Sequence, residues 1–173
     1  MDHAYQPEQW RDLYVMLGTT SGALIGLLFV ATSLHLDDIA TNPVYRVRAY
    51  NQTLYLLMLV VEAALILMPQ PARWMGAELA AINLYGLWFP LRNIYNFICK
   101  KIDVSGGWMI YRALRYIAAF MFGAAGGIAF IVDRPWGIYV VTASYVLLLI
   151  AVVLNAWAIM IGVGQSEKRK RAP

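Results

Sequence analysis

A carboxylate in the middle of an apolar stretch has the most chemistry to account for in this sequence. Glu62 lies well inside residues 52–68, a run dominated by Leu, Met, Val, Ala and Ile. In hydrocarbon an unpaired carboxylate costs several kcal/mol and turns toward a bundle interior. Asn51, Tyr55, Met58 and Glu62 follow the 4-3-4 spacing of one helix face, so the carboxylate extends a polar stripe. Arg92, in a second apolar stretch, is its natural partner. At 1.5 Å per residue, Glu62 stands about 15 Å above Gln52, taken as its helix end. Arg92 stands about 12 Å above Lys100, and Asn155 about 13 Å above Gly164. Glu62, Arg92 and Asn155 are therefore expected in one polar layer drawn from three helices, with Asn96 on the Arg92 face. Such a layer is either a buried ion pair capped by amides, which fixes helix register, or a proton or ion relay or ligand site.

Other reactive types are sparse. His35, Asp37 and Asp38 cluster, and an imidazole with two carboxylates has the right donors for a divalent cation. Adjacent positions at a hydrated helix end are a weak signal, so no metal is assigned. Cys99 stands alone, which excludes a disulfide or a Cys-rich metal centre within one chain. No nucleophile elbow, phosphate loop, zincin motif or pair of catalytic carboxylates is present, so neither an enzyme nor a cofactor is expected.

The elements that would position these groups follow from composition. Of 173 residues, 61% are hydrophobic and only 14% charged, whereas a soluble domain carries roughly a quarter charged residues. Lipid is then the solvent for most of the chain. Crossing ~30 Å of hydrocarbon takes about 20 apolar residues, and five segments qualify: residues 13–34, 52–68, 79–99, 113–132 and 136–163. The expected fold is all-α, a polytopic bundle of five transmembrane helices over residues 1–164, with a basic tail at 165–173. Pro7 to Trp10 reads as an interfacial turn before the first span, Pro69 and Pro71 end the second, and Pro90 interrupts the third.

Charge sets the orientation. Arg46, Arg48, Lys100, Lys101, Arg112, Arg115 and the run Lys168, Arg169, Lys170, Arg171 fall on one side, against Arg11, Arg73 and Arg134 on the other. The positive-inside rule puts the N-terminus outside and the C-terminus in the cytoplasm. The first span, lacking a basic region before it, is expected to insert uncleaved. The terminal basic run is expected to contact anionic lipid headgroups and not nucleic acid.

Small residues suggest helix association. Gly18, Gly22 and Gly26 share one face of the first span, and Ala119, Gly123 and Gly127 one face of the fourth. Such faces let backbones approach closely in lipid, within one monomer or between chains. The stretch from Gly18 to Ser33 and the segment Val153 to Trp157 resemble a family of small bacterial five-helix integral membrane proteins, some labelled as modulators of the FtsH membrane protease. The resemblance implies a multi-pass bacterial inner-membrane protein without catalytic residues. Five spans and several Trp are also similar to the tryptophan-rich sensory proteins, but the Trp-x-Pro-Pro element of their first loop is absent.

The leading expectation is a non-enzymatic regulator or scaffold that binds another membrane protein through the small-residue faces. The alternatives are a homo-oligomeric ion channel using the Glu62, Arg92 and Asn155 layer, and a small-molecule binder near Trp88, Phe89 and Arg92.

Overall fold

A computed structural model describes the backbone at residues 7–41, 43–100 and 106–171. Side chains are described from Glu8 to Met160, apart from 37, 38, 42–44, 97, 98, 100–109 and 159. Six helices account for nearly all of these residues: α1 (Pro7–Leu34), α2 (Leu36–Thr41), α3 (Pro43–Leu67), α4 (Ala72–Lys100), α5 (Gly106–Ile131) and α6 (Gly137–Arg171). The chain is an all-α bundle. Four helices are long and apolar enough to cross a membrane: Glu8–Leu34, Tyr45–Leu67, Ile110–Ile131 and Gly137–Ala158. This is the pattern of a multi-pass membrane protein. The remaining expected span, residues 79–99, falls within the helix α4, which is 29 residues long and is not among these four. Glu78, Asn83 and several Tyr and Trp rings hold α4 below the apolarity of the other four.

The helices run further than hydrophobicity alone suggests, because apolar patterning marks the buried stretch and not the hydrogen-bonded ends. Pro7 opens α1, with Glu8 in its first turn. Proline lacks only an N–H that would be orphaned there, and a carboxylate suits the positive helix end. The expected interfacial turn at Pro7–Trp10 is therefore helix. Pro43 opens α3 in the same way, well before Gln52. The backbone of the expected tail continues α6 to Arg171.

α5 is sandwiched between α4 and α6, and α3 lies across α4 and α6. α1 leans on α3 from outside and touches α6 only lightly. Of its apolar window 22% is buried, against 39%, 50% and 44% in the windows of α3, α5 and α6. Two hydroxyl pairs fasten it to α6: Tyr14 Oη with Thr142 Oγ1 at 2.8 Å, and Ser21 Oγ with Tyr145 Oη at 3.0 Å. Trp10 adds an edge-to-face contact with Tyr139.

The α4–α5 crossing depends on glycine. A Cβ on Gly127 would sit 2.7 Å from the Gly76 carbonyl oxygen and 2.7 Å from Ala80 N, and one on Gly76 would sit 2.6 Å from the Gly127 oxygen. The two backbones are thus nearly in contact, which gains dispersion and weak polar contacts where hydrophobic driving force between helices is absent. Tyr55 of α3 joins three helices by ring contacts, with Phe89 on α4 and with Tyr116 and Phe120 on α5. Between α5 and α6, Asp133 adopts the left-handed conformation (φ 54°), which Asp tolerates better than most residues. Its carboxylate pairs with Arg73 of α4 at 2.6 Å on the exposed surface.

A polar core split into two levels

Glu62 is 1% exposed and Asn83 0% exposed. Asn83 Nδ2 donates to Glu62 Oε1 at 2.8 Å and to the Leu79 carbonyl at 2.9 Å. A carboxyl group from α3 is thus held by a neutral amide from α4. Among the described residues no cation pairs with Glu62. The other end of the carboxamide, Asn83 Oδ1, is buried without a hydrogen-bond partner and lies over Gly123. A Cβ on Gly123 would overlap that carboxamide. Three helices therefore meet at one polar contact, which α5 admits by having no side chain there.

A second polar cluster lies toward the other end of α3. Gln52 Nε2 donates to the Val152 carbonyl, and Gln52 Oε1 accepts from Asn155 Nδ2 at 2.6 Å. Asn155 Oδ1 accepts from Arg112 Nη1 at 3.3 Å. Beside them, Tyr116 Oη donates to the Ala151 carbonyl at 3.2 Å. These bonds tie α3, α5 and α6 together at their polar positions.

The single layer expected from the sequence is two. Gln52 pairs with Asn155 and precedes Glu62 by ten residues on the same helix, about 15 Å along its axis. The expected heights used Gln52 and Gly164 as helix ends, but α3 starts at Pro43 and α6 continues to Arg171. Those two reference points do not share a plane.

Arg92 is not the partner of Glu62. It is exposed, and with Trp88, Leu91, Tyr95 and half-buried Asn96 it lines an outward groove of about 470 Å³ on one flank of α4. The reason is angular. Nine residues separate Asn83 from Arg92, and at about 100° each they place the two on opposite faces of the helix. The groove falls where the sequence suggested a pocket near Trp88 and Arg92, while Phe89 turns inward to Tyr55.

The small-residue faces also divide. Ala119, Gly123 and Gly127 are buried against α4 and α6, and the Ala119 carbonyl accepts from Ser144 Oγ at 2.7 Å. On α1, Gly18 would place a Cβ 3.0 Å from the Ala63 Cβ of α3, whereas Gly22 and Gly26 have nothing within 4 Å. His35 sits at the α1–α2 junction. The side chains of Asp37, Asp38, Lys168, Arg169, Lys170 and Arg171 lie outside the described residues. Cys99 is exposed.

No protein-family model, curated protein or solved structure matches the chain.

Sequence reasoning missed Asn83, and used Gln52 as a helix end and Arg112 as a topology charge. A signal existed for Asn83. It falls seven residues after Gly76 and seven before Pro90, in the heptad register of a buried stripe, and an amide there needs a partner.

Proposed function

We propose that this chain is a non-enzymatic membrane protein of the bacterial inner membrane that binds another membrane protein through the open face of α1. The observation that carries the reading is the contrast between the two glycine faces. The α5 face is consumed inside the monomer, while Gly22 and Gly26 leave a small-residue strip uncovered on the least buried spanning helix. A helix from a partner docks on such a strip by close backbone approach. The resemblance to the small five-helix family, with its protease-modulator label, points the same way.

In this reading α4 is the fifth crossing. Its 29 residues reach about 43 Å, and the chain must return between the apolar helices α3 and α5. The charge distribution then places the N-terminus outside. Selective labelling tests this: an impermeant maleimide applied to spheroplasts should spare the native Cys99 and label Arg134→Cys in a Cys99→Ser background. The opposite pattern would invert the topology.

A second reading is a homo-oligomer, the arrangement a channel would need, and Arg92 favours it. An arginine and an amide on an outward flank of a crossing helix are costly against lipid, and a second copy would cover them. A photo-crosslinking residue at Gly22 or at Arg92 separates the two readings. A heterologous adduct at Gly22 supports the regulator, and a self-adduct at Arg92 supports the oligomer.

A further inference from the structure

Glu62 is the single buried carboxyl among the described residues, and binding through α1 gives it no task. It lies in the apolar stretch Tyr45–Leu67, five residues and about 7 Å before the end. Among the described residues, the groups that face it come from four helices and none is a cation. Asn83 on α4 donates to it, Gly123 on α5 backs that amide, and Gly18 on α1 packs on the neighbouring Ala63. From α6 comes Tyr145, the one titratable group near enough for charge on Glu62 to act on it. Tyr145 Oη is bonded to Ser21 Oγ at 3.0 Å, and Ser21 Oγ donates to the Leu17 carbonyl at 2.9 Å. Hydroxyls continue along the same face of α6 at every third residue. Thr142 meets Tyr14 at 2.8 Å, and Tyr139, 65% exposed, packs on Trp10. A row of hydroxyls therefore follows the lightly packed α1–α6 seam from the surface to the neighbourhood of the carboxyl.

From these observations we propose that Glu62 is a reversible proton-binding site, loaded from the α1–α6 seam through the Tyr145–Ser21 hydroxyl pair. The surroundings of the carboxyl fit a proton as its ligand. With only a neutral amide beside it, a bare carboxylate at 1% exposure is an unpaired charge in a dry interior, and a proton removes that charge. The proton also completes the contact with Asn83. Its Nδ2 already donates to Glu62 Oε1, while Oδ1 of the same carboxamide is buried without a donor. A carboxylic acid brings the missing O–H, so one amide serves both oxygens of the acid. A metal cation fits less well, because one carboxylate and one amide oxygen fall short of the six or more oxygens that hard cations take. Delivery suits the neighbouring pair. A hydroxyl both donates and accepts, so Tyr145 and Ser21 pass a proton along without adding a fixed charge to the interior. Intramembrane carboxyls with such neighbours are the usual elements of proton pathways.

The test is infrared spectroscopy of the full chain in liposomes, which resolves the carbonyl band of a protonated carboxyl. Subtracting the spectrum of Glu62→Gln, a neutral isostere, assigns the Glu62 band. Isotope-labelled glutamate marks glutamate carbonyls in the wild type as well, so the readout survives a variant that folds poorly. The titration runs from about pH 5 to about pH 9, the range that buried carboxyls reach. The expected result is a Glu62 band at the acid end that loses most of its intensity toward the alkaline end. Transfer into heavy water then shifts the band at a measurable rate. Tyr145→Phe should slow that shift about tenfold or more, as expected when a positioned proton carrier is removed. Tyr85→Phe, at an exposed tyrosine of α4, should exchange like the wild type. A spectrum without a Glu62 band at any pH overturns the proposal, because the carboxyl is then ionised throughout. A band unchanged across the titration overturns it too, because the proton is then sealed in. Exchange as fast in Tyr145→Phe as in the wild type overturns the route through the hydroxyl pair.

Discussion

The carboxamide of Asn83 on α4 occupies the space left by the missing side chain of Gly123 on α5, and from there it reaches Glu62 on α3. A glycine thus serves a polar contact between two other helices. Gly123→Ala should therefore act on Glu62 without touching it. The added Cβ displaces Asn83, and over-packing of this kind costs about 1–3 kcal/mol. Unfolding in detergent would show the loss. Restored stability in Gly123→Ala with Asn83→Ala, relative to Gly123→Ala alone, would trace it to the displaced amide.

Glu62 and Asn83 should behave as a coupled pair. Glu62→Gln keeps an acceptor for Asn83 and should fold normally. Glu62→Ala leaves the amide without its carboxyl partner, at a cost of about 1–3 kcal/mol, and Glu62→Leu with Asn83→Leu should recover part of it. Glu62→Leu with Arg92→Leu should show no such recovery, since Arg92 faces away. Rescue by the Arg92 change and not by the Asn83 change would reverse the assignment.

At the second level, Asn155→Leu should strand Gln52 and loosen Arg112 together. Membrane hydrogen bonds between helices average about 0.6 kcal/mol, so this loss should be smaller than that of Gly127→Leu, where two backbones would be forced apart. Ranking the two variants by unfolding temperature checks the order.

The surface ion pair gives a pH dependence. Hydrogen bonds from Arg73 hold the Asp133 carboxyl below the usual carboxylate range. A depressed folded value means that the pair's contribution is present above the unfolded value, about 3.9 for Asp. It is lost as pH falls through the lower folded value. Stability of the wild type relative to Asp133→Asn should be flat near neutral pH and should shrink below about pH 4. Because both side chains are largely exposed, the difference is expected to be small. A gap that stays constant from pH 7 to pH 3 would remove the electrostatic role.

Much of the architecture is legible in the residues. The expected stretches fall on all five long helices, four of which are apolar enough to cross a membrane, since crossing lipid demands continuous hydrophobicity that few other constraints mimic. The polar contacts were harder to read, for a geometric reason. Their heights depend on where helices begin, and Pro43 and Pro7 extend α3 and α1 beyond their apolar parts. Their azimuth depends on counting turns, and Arg92 and Asn83 differ by half a revolution. The glycine spacing on α1 and α5 looks alike in sequence. Only packing separates Gly123, which faces an amide, from Gly22, which faces open space.

The central claim is that α1 offers its open face to another membrane protein. The most direct measurement is the native mass of the complex extracted gently from its own membrane, for the wild type and for Gly22→Leu. A Cβ at Gly22 would meet nothing within 4 Å and the position is exposed, so the variant should fold. The account predicts a wild-type mass that includes a second protein, and loss of that protein in Gly22→Leu. A mass explained by this chain alone, unchanged by the substitution, would contradict it.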